Sequence, residues 1–458
     1  MKSDKRMAIL ITTIIAISVF AAMPAAQAVD GYPTPALRWH NTDSSHDVTD
    51  VAIGDLTGNG VADVAFVDVE YDTLFAVYGI NGTDYWKNVS MSGYSIAIGD
   101  VDGDDKNEVV VGGRSLNTGI FVFEDNGTEK FYYTTRSWVV KDIELGDVDN
   151  NGVDDIVACN NEVAGWIYAF NGTDGSNLTG WPKNFTESIE DLALGYLDEN
   201  PGLDIAAISS SMVGTLYAFN STGDLMWINT TVYGRSVEIG NVDNDPEEEV
   251  VIGDLNSSHV YVYNGSTGTL EYSFDTVHPP SEVELGDLDG DPSDLEIAVI
   301  TGYLADWTIY AIDIDATGQV NEMWRYSIDW TPYYYGEGLA IGDVDGDNKN
   351  EVIAASDSDG YYKVWAFDGL DSNGDGQGDV VWMYDLGSHP NDVEVGDVNG
   401  DGDMDVIVGT NHEGVGSVYA LFTRELAQAP TLTPIGLLAL VGLLSAVAAL
   451  SMRMRKRR

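Results

Sequence analysis

A chain of 458 residues with 75 acidic against 21 basic side chains carries a formal charge of −54. That excess excludes nucleic acid and anionic membrane surfaces as electrostatic partners, and 44% hydrophobic with 10% aromatic residues excludes a disordered acidic tail. The lone cysteine, Cys159, sits in the apolar run Asp155-Ile156-Val157-Ala158-Cys159, so it forms no internal disulfide and is expected to be a small buried hydrophobe.

Residues 1–28 read as a secretory signal. Lys2, Lys5 and Arg6 supply the positive start, Met7 to Ala22 the apolar core, and Ala26-Gln27-Ala28 a small-x-small cleavage site. Residues 29–427 then repeat one plan. Short oxygen-rich loops begin at Asp55, Asp100, Asp147, Tyr196, Asn241, Asp287, Asp343 and Asp397, separated by 45, 47, 49, 45, 46, 56 and 54 residues. Each loop follows a β-type run ending in glycine, such as Val51-Ala52-Ile53-Gly54, and precedes a second apolar run, such as Asp63-Val64-Ala65-Phe66-Val67. The loop is therefore the turn of a hairpin. A third run (Leu74 to Tyr78, Trp166 to Phe170 and their counterparts) and a turn lead to a fourth that carries an aromatic: Trp86, Tyr132, Trp181, Trp227, Tyr272, Trp324 or Trp382.

Four short strands per unit of this length predict an all-β fold, a β-propeller of four-stranded blades. The last unit lacks an aromatic fourth strand, while Leu37-Arg38-Trp39-His40 precedes the first loop without a unit of its own. Trp39 lies 16 residues before Asp55, and the other aromatics lie 14 to 19 residues before their next loop. The expectation is eight blades, the last completed by the N-terminal strand, which removes a free sheet edge. Seven blades with a stray unit is the alternative.

Alternating carboxylates and glycines in a tight loop suit a hard cation such as Ca²⁺, which takes six to eight oxygens. Crowding several carboxylates in one small loop is costly without such an ion. Well-formed sets are Asp100, Asp102, Asp104 and Glu108; Asp147, Asp149, Asn151 and Asp155; Asp343, Asp345, Asp347 and Glu351; and Asp397, Asn399, Asp401 and Asp405. The first loop, Asp55, Thr57, Asn59 and Asp63, holds fewer charges. The fifth, Asn241, Asp243, Asp245 and Glu249, opens on a neutral ligand. The sixth, Asp287, Asp289 and Asp291, reaches its last carboxylate at Glu296. The fourth has Tyr196 in first position, with Asp198, Asn200 and Asp204, and is expected to be empty or weak. A ninth set, Asp371, Asn373, Asp375 and Asp379, replaces the turn between third and fourth strands of the seventh unit. Several bound ions are expected, stapling the hairpins.

Ten Asn-x-Ser/Thr sequons, at Asn81, Asn88, Asn126, Asn171, Asn177, Asn184, Asn220, Asn229, Asn256 and Asn264, support an external location. A linker, 428–434, leads to 18 uncharged residues, 435–452, long enough to span a bilayer, and to the basic tail 453–458, which belongs on the cytoplasmic side. The layout Pro430-Thr431-Leu432-Thr433-Pro434, apolar helix, basic cluster resembles the C-terminal sorting signals of archaeal surface proteins.

The tandem strand, D-x-D-x-D-G-x-x-D loop, strand pattern over residues 37–423 resembles the FG-GAP or VCBS repeat, as in the N-terminal propeller of integrin α subunits. The resemblance implies a calcium-binding propeller used on cell surfaces for adhesion or ligand recognition. The outer part of the unit, Gly214 to Gly223 leading to Trp227, also resembles the quinoprotein propeller repeat, but a single cysteine cannot form the vicinal disulfide often used in that chemistry.

For catalysis the six histidines (His40, His46, His259, His278, His389, His412) form no close pair, and neither a nucleophile elbow nor a phosphate loop is present. Glutamates at Glu144, Glu238, Glu284 and Glu394 fall where first strands line a propeller channel. The tyrosine-rich stretch 329–336 is a candidate contact loop. The expected function is a non-catalytic, membrane-anchored surface module that binds a glycan or protein. The alternative is a secreted carbohydrate-active enzyme, a polysaccharide lyase or glycosidase, on a calcium propeller.

Overall fold

The computed structural model describes residues 33–41, 46–115, 118–135, 139–161, 164–209, 214–302, 307–328, 338–358 and 361–422. The leader, the apolar segment 435–452 with its basic tail, and the tyrosine-rich stretch lie outside the described residues. Among the described residues no helix is long and apolar enough to cross a membrane.

The described residues are all-β. Strands follow one another in antiparallel meanders of four. The first is His46–Gly54, Asp63–Asp68, Thr73–Val77 and Asp84–Asn88; the second Gly93–Gly99, Glu108–Gly113, Ile120–Phe123 and Glu129–Tyr133. The third is Val140–Gly146, Asp155–Asn160, Trp166–Phe170 and Lys183–Asn184; the fourth Ile189–Gly195, Asp204–Ser209, Leu216–Phe219 and Leu225–Asn229. The fifth is Val237–Gly240, Glu249–Asp254, His259–Asn264 and Leu270–Asp275; the sixth Pro280–Gly286, Glu296–Thr301, Trp307–Ile314 and Val320–Ile328. The seventh is Leu339–Gly342, Glu351–Ser358, Tyr361–Asp368 and Val380–Asp385. The eighth is His389–Gly396, Asp405–Gly416, Val418–Phe422 and, from the other end of the chain, Ala36–His40.

First strands pack against first strands in sequence order, and that of the eighth meander packs against that of the first. The ring is closed, as in a β-propeller. Two expectations are corrected. The meanders form seven hydrogen-bonded sheets, not eight separate ones, because the eighth and first are joined where His46 pairs with Gly416 and Asp47 with Asn411. The long second strand of the eighth meander, Asp405–Gly416, runs past its own partner and reaches the start of the first. In the third meander Trp181 is not in the fourth strand, which shrinks to Lys183–Asn184. Pro182 supplies no N–H for the ladder there.

The β-branched second strands, such as Asp63–Asp68 and Asp155–Asn160, are buried along their whole length, as strands covered on both faces are. Eight apolar clusters each join one meander to the next; one of them unites Trp39, Ile407 and Phe422 of the eighth with Val51, Phe66 and Phe75 of the first. Cys159 is buried in the cluster between the third and fourth.

A tryptophan on the fourth strand latches each of several junctions. Its indole N–H donates to a carbonyl in the outer turn of the next meander: Trp86 to Asp125 (2.8 Å), Trp227 to Gly265 (2.6 Å), Trp324 to Gly369 (2.8 Å). Trp39 does the same to Gly79 at 2.6 Å, so the N-terminal strand takes the structural role of an eighth fourth strand. Gly82, at φ +65°, lets the turn pass so close that a Cβ would sit 2.4 Å from the Trp39 ring. Trp39→Ala removes this buried latch and is expected to cost about 3–5 kcal/mol in urea unfolding; Trp86→Ala, at a half-buried site, will cost less.

Candidate metal centres and the central channel

The acidic loops share one wrap. The first-position carboxylate turns back over its loop and accepts backbone N–H groups three to five residues on. Asp100 takes Gly103 (2.7 Å), Asp104 and Asp105; Asp147 takes Asn151 and Gly152 (both 2.8 Å); Asp343 takes Gly346 (2.7 Å), Asp347 and Asn348. Asp55, Asp287 and Asp397 make versions of the same turn. The last carboxylate stands at the start of the second strand and uses one oxygen to accept the N–H of the residue after the first ligand. Val101 donates to Glu108 at 3.1 Å, Val148 to Asp155 at 3.1 Å, Val242 to Glu249 at 3.0 Å and Val344 to Glu351 at 2.9 Å.

Carboxylate oxygens of Asp100, Asp102 and Glu108 lie within 4.8 Å of one another, as do those of Asp147, Asp149 and Asp155, of Asp243, Asp245 and Glu249, of Asp287, Asp289 and Glu296, and of Asp343, Asp345 and Asp347. These clusters can hold a metal ion. The chemistry of the leftover atoms agrees. Glu108 Oε1, Asp155 Oδ1 and Glu249 Oε1 are buried on residues with no solvent exposure and have no hydrogen-bond partner. An orphaned buried carboxylate oxygen costs a few kcal/mol unless a cation meets it. Burial pushes Glu108 and Asp155 up to about 7 and Glu249, Glu351 and Asp405 up to about 8, with neighbouring carboxylates adding to the rise. The all-oxygen donor set fits a hard divalent ion.

Other loops differ. In the first, Asp63 accepts Thr57 N at 3.0 Å, and Asn59 donates to the Thr57 hydroxyl. In the last, the Asn399 amide donates to both oxygens of Asp405 (3.0 and 2.9 Å), leaving Asn399 Oδ1 buried without a partner. The ninth set lies between third and fourth strands of the seventh meander. Asp371 makes the same turn, accepting Gly374 at 2.8 Å and Gly376 at 2.6 Å, and Asp379 receives Ser372 N and Asn373 Nδ2. Its backbone is pinned to Arg325 of the sixth meander through Gly376 and Gly378. In the fourth loop Tyr196 is half exposed, and its own N–H donates to Glu248 of the next meander at 2.7 Å. Asp204 still caps Leu197 at 2.9 Å, so the hairpin keeps its shape with the first ligand gone.

The first strands enclose a central cavity of about 280 Å³. Of the four glutamates expected there, Glu238 and Glu284 line it, and Glu144 and Glu394 are not among its lining residues. A second carboxylate layer, Asp50, Asp142, Asp191, Glu282 and Asp392, was missed in the sequence. Each entry bulge, such as those between Val48 and Asp50 or Val140 and Asp142, aims a polar side chain at the neighbouring strand. Asp50 accepts Ile96 N at 2.7 Å, Asp142 accepts Leu192 N at 3.0 Å, Asp191 accepts Val237 N at 2.8 Å, Glu282 accepts Gly338 N at 3.0 Å and Asp392 accepts Val51 N at 2.9 Å. These bonds stitch meander to meander around the ring. Serines at two positions of this layer, Ser95 and Ser236, hid its periodicity.

Asp50 and Asp392 also hydrogen-bond to each other across the closure. Asp392 accepts two backbone N–H groups, Val51 and Val393, and Asp50 only one. Burial and Asp392 push Asp50 well above the ordinary carboxylate range, and burial raises Asp392 as well, against its two backbone donors. Burial also drives Glu144 and Glu238 well above their ordinary values, Glu284 to about 7 and Asp142 to about 6. Among the described residues, eight carboxylates line the cavity against two cations, Lys141 and Arg235. Lys141 donates to the Tyr94 hydroxyl at 3.0 Å, and both cations pair with Glu190, at 3.4 and 3.8 Å.

The sequons coincide largely with outer turns. Asn81, Asn126, Asn171 and Asn229 accept the N–H two residues on, so the Asn-x-Thr pattern is also an Asx turn. In the sixth meander Asp315 accepts Thr317 in the same way. A carboxylate there serves the turn without forming a sequon, which explains part of their absence from the later meanders. Asn264 is buried, with its amide bonded to Glu247, Ser266 and Thr267.

Residues 389–421, the hairpin built on the Asp397 loop with its third strand, match the FG-GAP repeat. The chain is thus a β-propeller carrying an FG-GAP repeat. No curated protein matches the sequence. Among solved structures it is similar to Sqt1 of Saccharomyces cerevisiae (TM-score 0.61, 12% identity, 85% of this chain and all of that one). It is similar also to the Dos1 propeller (0.56, 11%, 84% and 95%) and to a rhamnogalacturonan lyase of Bacillus licheniformis (0.54, 15%, 88% and 74%). At such identity the likeness is one of fold alone.

Proposed function

We propose that the protein is an extracellular, calcium-binding propeller whose eight meanders work as eight blades, and that it serves as a non-catalytic binding module at the cell surface. The observation that carries this reading is the recurring oxygen cradle with an unpartnered buried carboxylate oxygen, at Glu108, Asp155 and Glu249. Residues Asp100, Asp102 and Glu108, and their counterparts in the other clusters, would hold the ions, which supply the charge that folds each acidic hairpin into one shape. Calcium is the ion of choice, because the donors at the ligand positions are mostly carboxylate and amide oxygens.

The ions' role is structural, and recognition belongs to the faces and loops they order. The ligand class is an envelope glycan or a surface protein. Residues 435–452 would anchor the propeller in the membrane or be processed off it, and exposed sequons such as Asn81, Asn126 and Asn184 would carry glycans.

A second reading, a polysaccharide lyase, draws on the Tyr94, Lys141 and Arg235 group in the central cavity. An acid lining of eight against two repels a uronate and favours the binding module. The test is to incubate the protein lacking residues 435–458 with surface glycans and acidic polysaccharides, with calcium and with chelator. Calcium-dependent retention without turnover is expected. Release of unsaturated uronides or new reducing ends would overturn the binding-module reading.

A further inference from the structure

In seven meanders the ladder between third and fourth strands carries a bulge at one equivalent place. The skipped residue is uncharged in four of them: Tyr85, Met226, Met323 and Val381. It is charged in three. In the second meander it is Lys130, whose ammonium pairs with Asp102 and, at 3.1 Å, with Glu124. Asp102 is one of the three ligands gathered in that meander's acidic loop, and it and Lys130 are each only 15% exposed. In the fifth meander the residue is Glu271, which lies in the field of the loop ligands Asp243 and Asp245 and itself acts on Glu249. The adjacent Tyr272 hydroxyl donates to Asp243 at 2.9 Å. In the eighth it is Arg38, whose guanidinium lies 5.4 Å over the Phe422 ring.

Lys130 and Glu271 face loops that hold a fully buried, unpartnered carboxylate oxygen, Glu108 Oε1 in the second and Glu249 Oε1 in the fifth. Those atoms point to a cation in either loop. What differs is the charge brought up from the fourth strand. We propose that in the second and fifth meanders this bulge residue sets the cation affinity of the acidic loop: Lys130 is a tethered ammonium that competes with a divalent ion and weakens its binding in the second loop, and Glu271 is an added carboxylate that draws one into the fifth. The inference rests on the metal reading above.

A divalent ion entering the second loop must break the Lys130–Asp102 pair and sit beside a positive charge. In the fifth it gains a further negative one. The order of affinity then runs opposite to the number of acids at the four ligand positions. The second loop, acidic at all four, binds more weakly than the fifth, which has three because it opens on Asn241. A unit charge within a few ångströms of a partly buried divalent site changes affinity by about tenfold or more.

The experiment titrates calcium into the full chain and into Lys130→Met, Lys130→Gln and Glu271→Gln, counting bound ions by equilibrium dialysis. Terbium luminescence sensitised by Tyr272 reports the fifth loop, and circular dichroism checks each fold. Both Lys130 variants should gain one ion, or tighten one site by about tenfold, without moving the Tyr272-sensitised signal. Glu271→Gln should weaken that signal's titration by about tenfold. If wild type binds calcium and these substitutions leave its isotherms unchanged, the inference is wrong and the metal reading stands. If neither wild type nor any variant binds calcium, both fall.

Discussion

Chelating calcium from the replete protein will lower its melting temperature by about 13 °C. A ligand at a hundredfold excess over Kd stabilises the native state by about 2.7 kcal/mol per site. Four such sites supply about 11 kcal/mol. A propeller of about 390 residues unfolds with an entropy of about 2.1 cal/mol/K per residue, which converts that energy to the stated shift. Differential scanning calorimetry before and after chelation, with calcium added back, measures it. Magnesium should restore little, since its octahedral demand and reluctant dehydration suit these loops poorly. A melt that does not move after thorough chelation removes the structural role assigned to the loops.

The channel makes the second large effect, and it runs with pH. Glu144, Glu238 and Glu284 have folded values raised above the unfolded range, with Glu284 at about 7. Groups shifted upward favour the folded state in full below about pH 4.5, where both states are protonated, and lose that contribution as pH climbs through the folded value. Stability therefore falls between about pH 5 and pH 8. The loops titrate in the same direction when empty, so the measurement belongs in saturating calcium, where bound ions keep their carboxylates charged. Under those conditions Glu144→Gln with Glu238→Gln should raise the melting temperature at pH 8 by about 3 °C and leave it unchanged at pH 5. An equal gain at both values would mean that the glutamines act through packing, not charge.

What could be read from the chain and what could not divide along physical lines. The loops were legible because a turn that gathers carboxylates closely enough to hold a metal needs oxygens at alternate positions and glycine at the turn, a local demand that leaves a local pattern. Trp39 was legible as a closing strand from its distance to Asp55 and from the missing fourth strand of the last unit, and its indole bond to Gly79 supplies the mechanism. The stitching layer of Asp50, Asp142, Asp191, Glu282 and Asp392 was not, because its need is only for an acceptor facing the next strand. Aspartate, glutamate and serine all meet it, and the period disappears from the letters. Lys130 and Glu271 were hidden for another reason. They lie 22 residues or more past the end of their loops, and only a bulge in the ladder turns them back. The fusion of the eighth and first meanders escaped as well, since nothing in residues 405–416 announces that the strand outruns its partner.

The pairing of Leu37 with Leu421 sets a clock on biogenesis. About 380 positions separate them, so at about 5–20 residues per second the first strand made waits about 20–75 s for its partner. During that interval Trp39 is unshielded, and afterwards the edge at Val418–Phe422 accepts whichever strand reaches it first. In dilute solution that strand is the chain's own. Where nascent copies crowd together, a neighbour's Ala36–His40 fits the same edge with the same register, and the product is an exchanged dimer or an open chain of propellers.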